Sequence, residues 1–368
     1  MNRCPISCHG LILLVASAML ATGLSIEGAP RHEREGRIKS LSYRLIEKIR
    51  LEGDPEIVRL AVDAEGNFYV IGGEGSVVKK YAPSGRHLLT IDLTEVLKTS
   101  RISVYDMFIH PRGALYLLVV WIAPDGSRPF GGVLILDGQG RVRRLIELAL
   151  ILRITGRHSL VVDSTGAFYI LALLQRTHDP DSPLVTENVI HKFAPSGEWL
   201  RSFSPLTERF TRQRCLDTRE FQALLIDDRD RIHHIYLDGT EIRSFTPDGH
   251  LLSLYRISYP LRPRPIEESE RPVPRIERSI VGAFAWRDVL ILSAIETPLT
   301  ATGEAISFPE GYALMIDPLK KSMRIVGRGN VLLPGMMLGR DGHCYAFSHH
   351  HENGQAWFVI HKEELVRQ

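Results

Sequence analysis

Residues 159–175, SLVVDSTGAFYILALLQ, decide the fold because the chain writes them more than once. Residues 59–73 read RLAVDAEGNFYVIGG and residues 106–120 read DMFIHPRGALYLLVV. Each version has a short apolar run, a tight polar turn and a second apolar run, which is a β-hairpin signal. Weaker versions follow as IDDRDRIHHI, FAWRDVLILS and LGRDGHCYAF, giving six copies.

Behind each copy lies a second hairpin: VVKKYAPSGRHLLTI, GVLILDGQGRVRRLI, VIHKFAPSGEWLRSF, EIRSFTPDGHLLSLY, YALMIDPLKKSMRIV and the truncated AWFVIHKEEL. Glycine in most of these turns supplies the positive φ of a tight hairpin. Two hairpins make a four-stranded meander, and the interval between copies averages about 55 residues. A single meander cannot bury both its faces, so such units stack on one another. Six of them predict an all-β fold, a six-bladed β-propeller.

The last copy runs out of chain before an outermost strand can form. Residues 42–53, SYRLIEKIRLEG, alternate apolar and polar ahead of the first copy and can supply the missing strand. This predicts Velcro closure, an N-terminal strand completing the last blade and leaving no open seam.

The motifs VDAEGNFYV and VDSTGAFYI, followed by KKYAPSGRHL and HKFAPSGEWL, resemble NHL repeats. The likeness is good in the first and third copies and fades in the fifth and sixth. It implies a propeller fold and carries little about function, since such propellers serve as binding platforms, scaffolds and unrelated enzymes.

Composition is that of a folded globular protein, 44% hydrophobic and 24% charged over 368 residues, with a formal net charge of +2. That balance gives no electrostatic case for binding nucleic acid. The N-terminus carries Arg3, then an apolar run over residues 11–24 and small residues near Gly23. The layout is that of a secretory signal peptide, and the run is shorter than the ~20 residues of a membrane span. The expected organisation is a signal peptide over 1–23, a flexible segment over 24–41 and the propeller over 42–368. Secretion, or a periplasmic place in the cell envelope, follows, with no stable membrane insertion after cleavage. Only Cys215 and Cys344 lie beyond the leader, too few for a disulfide framework.

Chain order fixes which loops share a face of a propeller. Turns from first to second and from third to fourth strand lie on the bottom; the other connections lie on top. All the long segments fall in the top class: residues 121–132, 175–188, 204–220, 259–279 and 296–311. Long loops on one face of a rigid scaffold are where function concentrates. The top face is therefore the expected recognition surface for a protein, peptide or glycan partner.

Candidate ligand-binding residues are the polar and aromatic groups at strand starts and loop entrances: Glu56, Tyr105, Asp106, Trp121, His158, Glu220, Gln222, His349 and His351. Six-bladed lactonases hold a central metal through Glu, Asn and Asp at such strand starts. Here His158 and Gln222 stand where Asn or Asp would be needed, a poor oxygen set for calcium, so no metal or cofactor is expected. The alternative is a metal-assisted hydrolase or lyase at the channel mouth using His158, His349 and His351. No GxSxG elbow, HExxH helix or P-loop occurs.

Overall fold

The computed structural model describes residues 41–53, 57–72, 75–99, 101–122, 129–149, 151–154, 158–177, 182–206, 222–236, 241–257, 275–299, 310–328, 337–352 and 355–367. These form β-strands and one short helix, arranged as six antiparallel sheets. The leader lies outside the described residues, as do Glu56 and Glu220.

The first strand, β1 (Leu41–Arg50), belongs to the last blade, one residue earlier than the sequence pattern sets it. Blade 1 is β2 (Arg59–Val62), β3 (Phe68–Ile71), β4 (Val77–Tyr81) and β5 (His87–Asp92), in that order. A one-turn helix, α1 (Leu93–Leu97), follows it, capped by the Asp92 carboxylate accepting from the Thr94 amide at 2.8 Å. Blade 2 is β6 (Ile102–Ile109), β7 (Leu115–Ile122), β8 (Pro129–Leu136) and β9 (Val142–Leu148).

Blade 3 has a divided inner strand. Its parts, β10 (Ile151–Ile154) and β11 (Leu160–Val162), both pair with β12 (Phe168–Gln175), and β13 (Asn188–Phe193) and β14 (Trp199–Pro205) follow. Blade 4 is β15 (Gln222–Ile226), β16 (Ile232–Tyr236), β17 (Glu241–Phe245) and β18 (Leu251–Arg256). Blade 5 is β19 (Arg275–Trp286), β20 (Val289–Leu299), β21 (Glu310–Asp317) and β22 (Ser322–Arg328). Blade 6 is β23 (Met337–Leu338), β24 (Cys344–Glu352) and β25 (Gln355–Arg367), and β1 pairs antiparallel with β25 as its outermost strand. The fold is the six-bladed β-propeller with Velcro closure.

The core lies between blades. Along β3, Phe68 and Val70 pack toward Tyr345 and Ile360 of blade 6, while Tyr69 and Ile71 pack toward Leu115 and Leu117 of blade 2. A strand covered on both faces is expected to be nearly continuously apolar, and β3 and β12 are buried throughout. Outer strands see solvent on one side: β5 alternates, and β9 is exposed over its first four residues and alternates over its last three.

In blades 2 to 4 the glycine of the third-to-fourth-strand turn fits against the outer strand of the preceding blade. A Cβ on Gly140 would meet Ile91, one on Gly197 would meet Ile146 and one on Gly249 would meet Phe203. Gly85 makes the same contact with β1: its φ is +84°, and a Cβ there would lie 2.2 Å from the Arg50 carbonyl oxygen. Strand β1 thus takes the place an outer strand of blade 6 would hold, and the ring closes by the contact that joins blades 1 to 4.

Candidate functional site

The two faces are built differently. No bottom turn exceeds five residues, and most are locked from within. In blade 3, Asp163 Oδ1 accepts from the amides of Thr165 and Ala167, both at 3.0 Å. Its Oδ2 accepts from the Tyr169 hydroxyl at 2.9 Å, and Lys192 lies over the Tyr169 ring. Blades 1 and 6 repeat the arrangement with Asp63, Tyr69 and Lys80 and with Asp341, Tyr345 and Lys362. Burial and the adjacent carboxylate push the Tyr69, Tyr169 and Tyr345 hydroxyls well above their ordinary pKa. These are structural pins.

Blade 4 changes the residues at the same place. Asp227 Oδ2 lies 3.2 Å from His233 Nε2, and His233 Nδ1 lies 2.9 Å from Ser244 Oγ. This is the composition of a nucleophile triad, but Ser244 is wholly buried and His233 nearly so. The register pairs His233 with Ser244 as it pairs Tyr69 with Lys80. The group is the blade 4 form of the pin and has no open face for a substrate. Cys344 is equally unsuited to chemistry: it is buried, and desolvation pushes its thiol up to about 12.

On top, strands extend above the ring. What reads in sequence as long loops is in part ladder: β7 continues to Ile122 and β8 resumes at Pro129, while β19 and β20 pair over eleven positions. Two of the long inner strands carry a bulge. In β6 the register shifts between Val104 and Asp106, leaving Tyr105 unpaired and 39% exposed at the rim. A bulge re-aims the side chain it carries, and here it turns an aromatic ring into solvent.

Asp106, beside Tyr105, is buried and saturated. Its Oδ1 accepts from the Met107 amide at 2.9 Å, and its Oδ2 accepts from the amides of Ser159 and Leu160 at 2.5 and 2.9 Å. It ties blade 2 to blade 3. Trp121 is also buried, stacked on Phe130 with ring centroids 5.7 Å apart and lying over Gly132. It forms wall rather than surface. His158 is half-buried at the start of the blade 3 inner strand, where its carbonyl accepts from Leu224 at 2.8 Å and bridges to blade 4. His349 and His351 lie in β24, in register with Phe358 and Ala356, on the part that continues past β23 toward the top. The structure therefore brings Tyr105, Asp106, His158 and Gln222 to the inner strands of three adjacent blades. Among the described residues, no three His, Cys, Asp or Glu side chains are grouped as metal ligands.

A polar network missed in the sequence lies between blades 3 and 4. Arg243 is held by Glu241 at 2.7 Å and donates to Ser204 Oγ at 3.3 Å and to the Pro205 carbonyl at 2.7 Å. Ser204 Oγ lies 2.8 Å from His234 Nδ1, and His234 Nε2 lies 3.1 Å from Gln222 Oε1. Burial, aided by the Arg243 charge, keeps His234 well below its ordinary pKa and hence neutral. Ser204 receives Arg243, so its proton goes to Nδ1, and the ring's own proton sits on Nε2 and goes to Gln222 Oε1. Gln222 is 1% exposed, and its Nε2 has no hydrogen-bond partner. One signal was available: RIHHIY puts two histidines in a strand covered on both faces, so each needed a partner.

No family model matches the chain, and no curated protein does. Solved structures resemble it in overall fold. A member of the DUF4221 family from Bacteroides vulgatus is 8% identical with a TM-score of 0.49, covering 90% of this chain and 99% of its own. A streptogramin B lyase is 13% identical with a TM-score of 0.46, covering 88% and 98%. YCF48 from Cyanidioschyzon merolae is 8% identical with a TM-score of 0.41, covering 87% and 98%. The six-bladed assignment itself rests on this chain's own strand order.

Proposed function

We propose that the chain is an exported binding module whose top face receives a protein or peptide partner. The observation that carries this reading is the one-sided elaboration of the ring. Bottom turns are minimal and internally satisfied, whereas strands rise above the ring on top and a bulge presents Tyr105. Exposed aromatic anchors on rigid elements are the groups that dominate recognition energetics. Export rests on the leader over residues 1–23 and the two cysteines beyond it. Among the described residues no helix is long and apolar enough to cross a membrane. Kinship to NHL propellers rests on the first and third hairpin motifs.

The test is a photo-crosslinking amino acid placed at Tyr105 on top or at exposed Gln139 in a bottom turn, in the native host. A discrete adduct from position 105, absent from position 139, supports the reading. Equal adducts from both, or none, contradict it; an adduct removed by glycosidase would identify a glycan instead. Elemental analysis separates the rival: about one stoichiometric metal ion, lost in a His349→Ala, His351→Ala variant, would favour a metal-assisted hydrolase or lyase.

A further inference from the structure

The outer strands of the ring carry apolar side chains at positions open to water. Thirteen large apolar side chains are exposed among the described residues; ten lie on outer strands and Leu319 lies in the turn before one. An outer strand is exposed by its place, but that does not make its exposed residues leucine, valine and tryptophan. Single exposed leucines are ordinary, whereas a series repeated at one structural position marks a contact surface.

The repeated position is a bulge. In blades 1 to 4 the outer strand slips register just after the bottom turn, and the residue left unpaired is Leu88, Arg143, Leu200 and Leu252 in turn. A bulge re-aims the side chain it carries. Leu88, Val142, Trp199, Leu200, Leu251 and Leu252 thus stand at the bottom outer edge, each between 41 and 57% exposed. Bulges also blunt an edge against pairing with another strand, but charged residues serve that purpose better than leucine.

Arginines stand among the apolar groups on blades 1 to 3. In the bottom turns of these blades and the first three residues of their outer strands, the exposed charges are Arg86, Arg112, Arg141, Arg143, Arg144 and Arg201 against Glu65 and Glu198. Most of the arginines meet no carboxylate. Arg112 donates to the Ser164 carbonyl at 3.2 Å, Arg144 to the Pro195 and Ser196 carbonyls at 3.1 and 3.2 Å, and Arg201 to the Asp248 carbonyl at 2.5 Å. The Arg86 and Arg143 guanidiniums have no polar partner among the described residues, and Arg141 pairs with Asp137. Because the turns of blades 2 and 3 lie directly against β5 and β9, the three edges form one arc.

The chemistry of this arc selects its partner. Nucleic acid would satisfy the arginines and offer the leucines nothing. A protein would anchor its contacts in a desolvated pocket, which the outside of a ring does not supply. A lipid surface takes aliphatic and indole tips at headgroup level and pairs guanidiniums with phosphates. Strand β1 begins on the same face, Leu41 standing opposite Arg367 at the bottom end of β25, so the chain preceding it enters the ring from that side.

We infer that the bottom edge of blades 1 to 3 docks on an anionic membrane surface, with Leu88, Val142, Trp199 and Leu200 entering the headgroup layer and the arginines on lipid phosphates. The contact is peripheral and spans nothing. It stands apart from the top-face reading and leaves the top face pointing away from the lipid.

The test is sedimentation of the exported chain, without residues 1–23, with vesicles of phosphatidylcholine alone or with about a third phosphatidylglycerol. Saturable binding to the anionic vesicles is expected, at least tenfold weaker on neutral vesicles and in high salt. Arg86→Glu with Arg143→Glu should weaken it at least tenfold. Lys98→Glu with Arg101→Glu, the same charge change in the top connection between blades 1 and 2, should leave it nearly unchanged. Leu88→Ser with Leu200→Ser should weaken it severalfold at an unchanged melting temperature. Brominated lipid should quench Trp199, and Trp199→Phe should remove that quenching. No binding to anionic vesicles overturns the inference, as does equal loss from the two charge-reversed pairs or quenching that survives Trp199→Phe. Release by polyglutamate, with the serine pair binding as the native chain does, would assign the edge to an acidic polypeptide and overturn it as well. The adduct at position 105 is read separately, so failure of lipid binding would leave the top-face reading standing.

Discussion

Asp163 shows how a single residue fixes a turn. It accepts from two amides, from Thr165 Oγ1 at 2.6 Å and from the Tyr169 hydroxyl. Removing a shared acceptor leaves buried donors unsatisfied at ~1–3 kcal/mol each, less what relaxation recovers. Asp163→Ala should therefore cost about 2–4 kcal/mol in urea unfolding, and Tyr169→Phe about 1–2 kcal/mol; a loss below about 0.5 kcal/mol for Asp163→Ala would contradict the pin. The turn was legible, because a tight polar stretch with glycine between two apolar runs states a hairpin; the lock between Asp163 and Tyr169 was read only from the structure. The Gln222 relay was not legible, because its members come from four strands and two blades. Asp106 was singled out from its place at a strand start, and the structure gives it the work of holding Ser159 and Leu160. Sequence position fixed its location but could not reveal that its oxygens were already occupied.

Turns and strands carry their own tests. Gly113 and Gly85 both have positive φ, but a Cβ on Gly113 meets nothing within 4 Å whereas one on Gly85 meets the Arg50 carbonyl. Gly113→Ala should cost only the left-handed backbone penalty, ~1–2 kcal/mol. Gly85→Ala must also displace β1 and should cost about 3 kcal/mol or more, with faster amide exchange confined first to β1 and β25. Equal losses would deny the seam contact. In β25, burial raises the Glu363 carboxyl to about 7, and one of its oxygens has no partner. The folded state then holds a proton that the unfolded state has released. Its stabilising effect is complete below about 4.5 and is lost as pH rises through about 7. Stability should fall over that window in the native chain, and the fall should be smaller in Glu363→Gln. An unchanged slope in the variant would refute the assignment. The extended top strands escaped the sequence reading because Trp121 and Ile122, or Thr297 and Pro298, carry no period that separates ladder from loop.

At the scale of the whole ring, closure follows from one consideration: a repeat that cannot bury its faces alone needs a neighbour on both sides. The six copies and the truncated last one make this legible in the sequence. A chain beginning at residue 57 lacks β1 and should lose cooperative thermal unfolding or melt far lower. A melting temperature within a few degrees of the intact chain would mean that β1 is dispensable. The asymmetry between plain bottom and raised top is the property on which the proposed function rests. The measurement that tests it most directly is competition for the adduct formed at position 105. Excess unlabelled intact chain should abolish the adduct in a saturable way. A Tyr105→Glu chain should need at least tenfold more, the ~1.4 kcal/mol or greater expected of an aromatic anchor. Equal competition by the two chains, or none by either, would contradict a specific recognition surface on the top face.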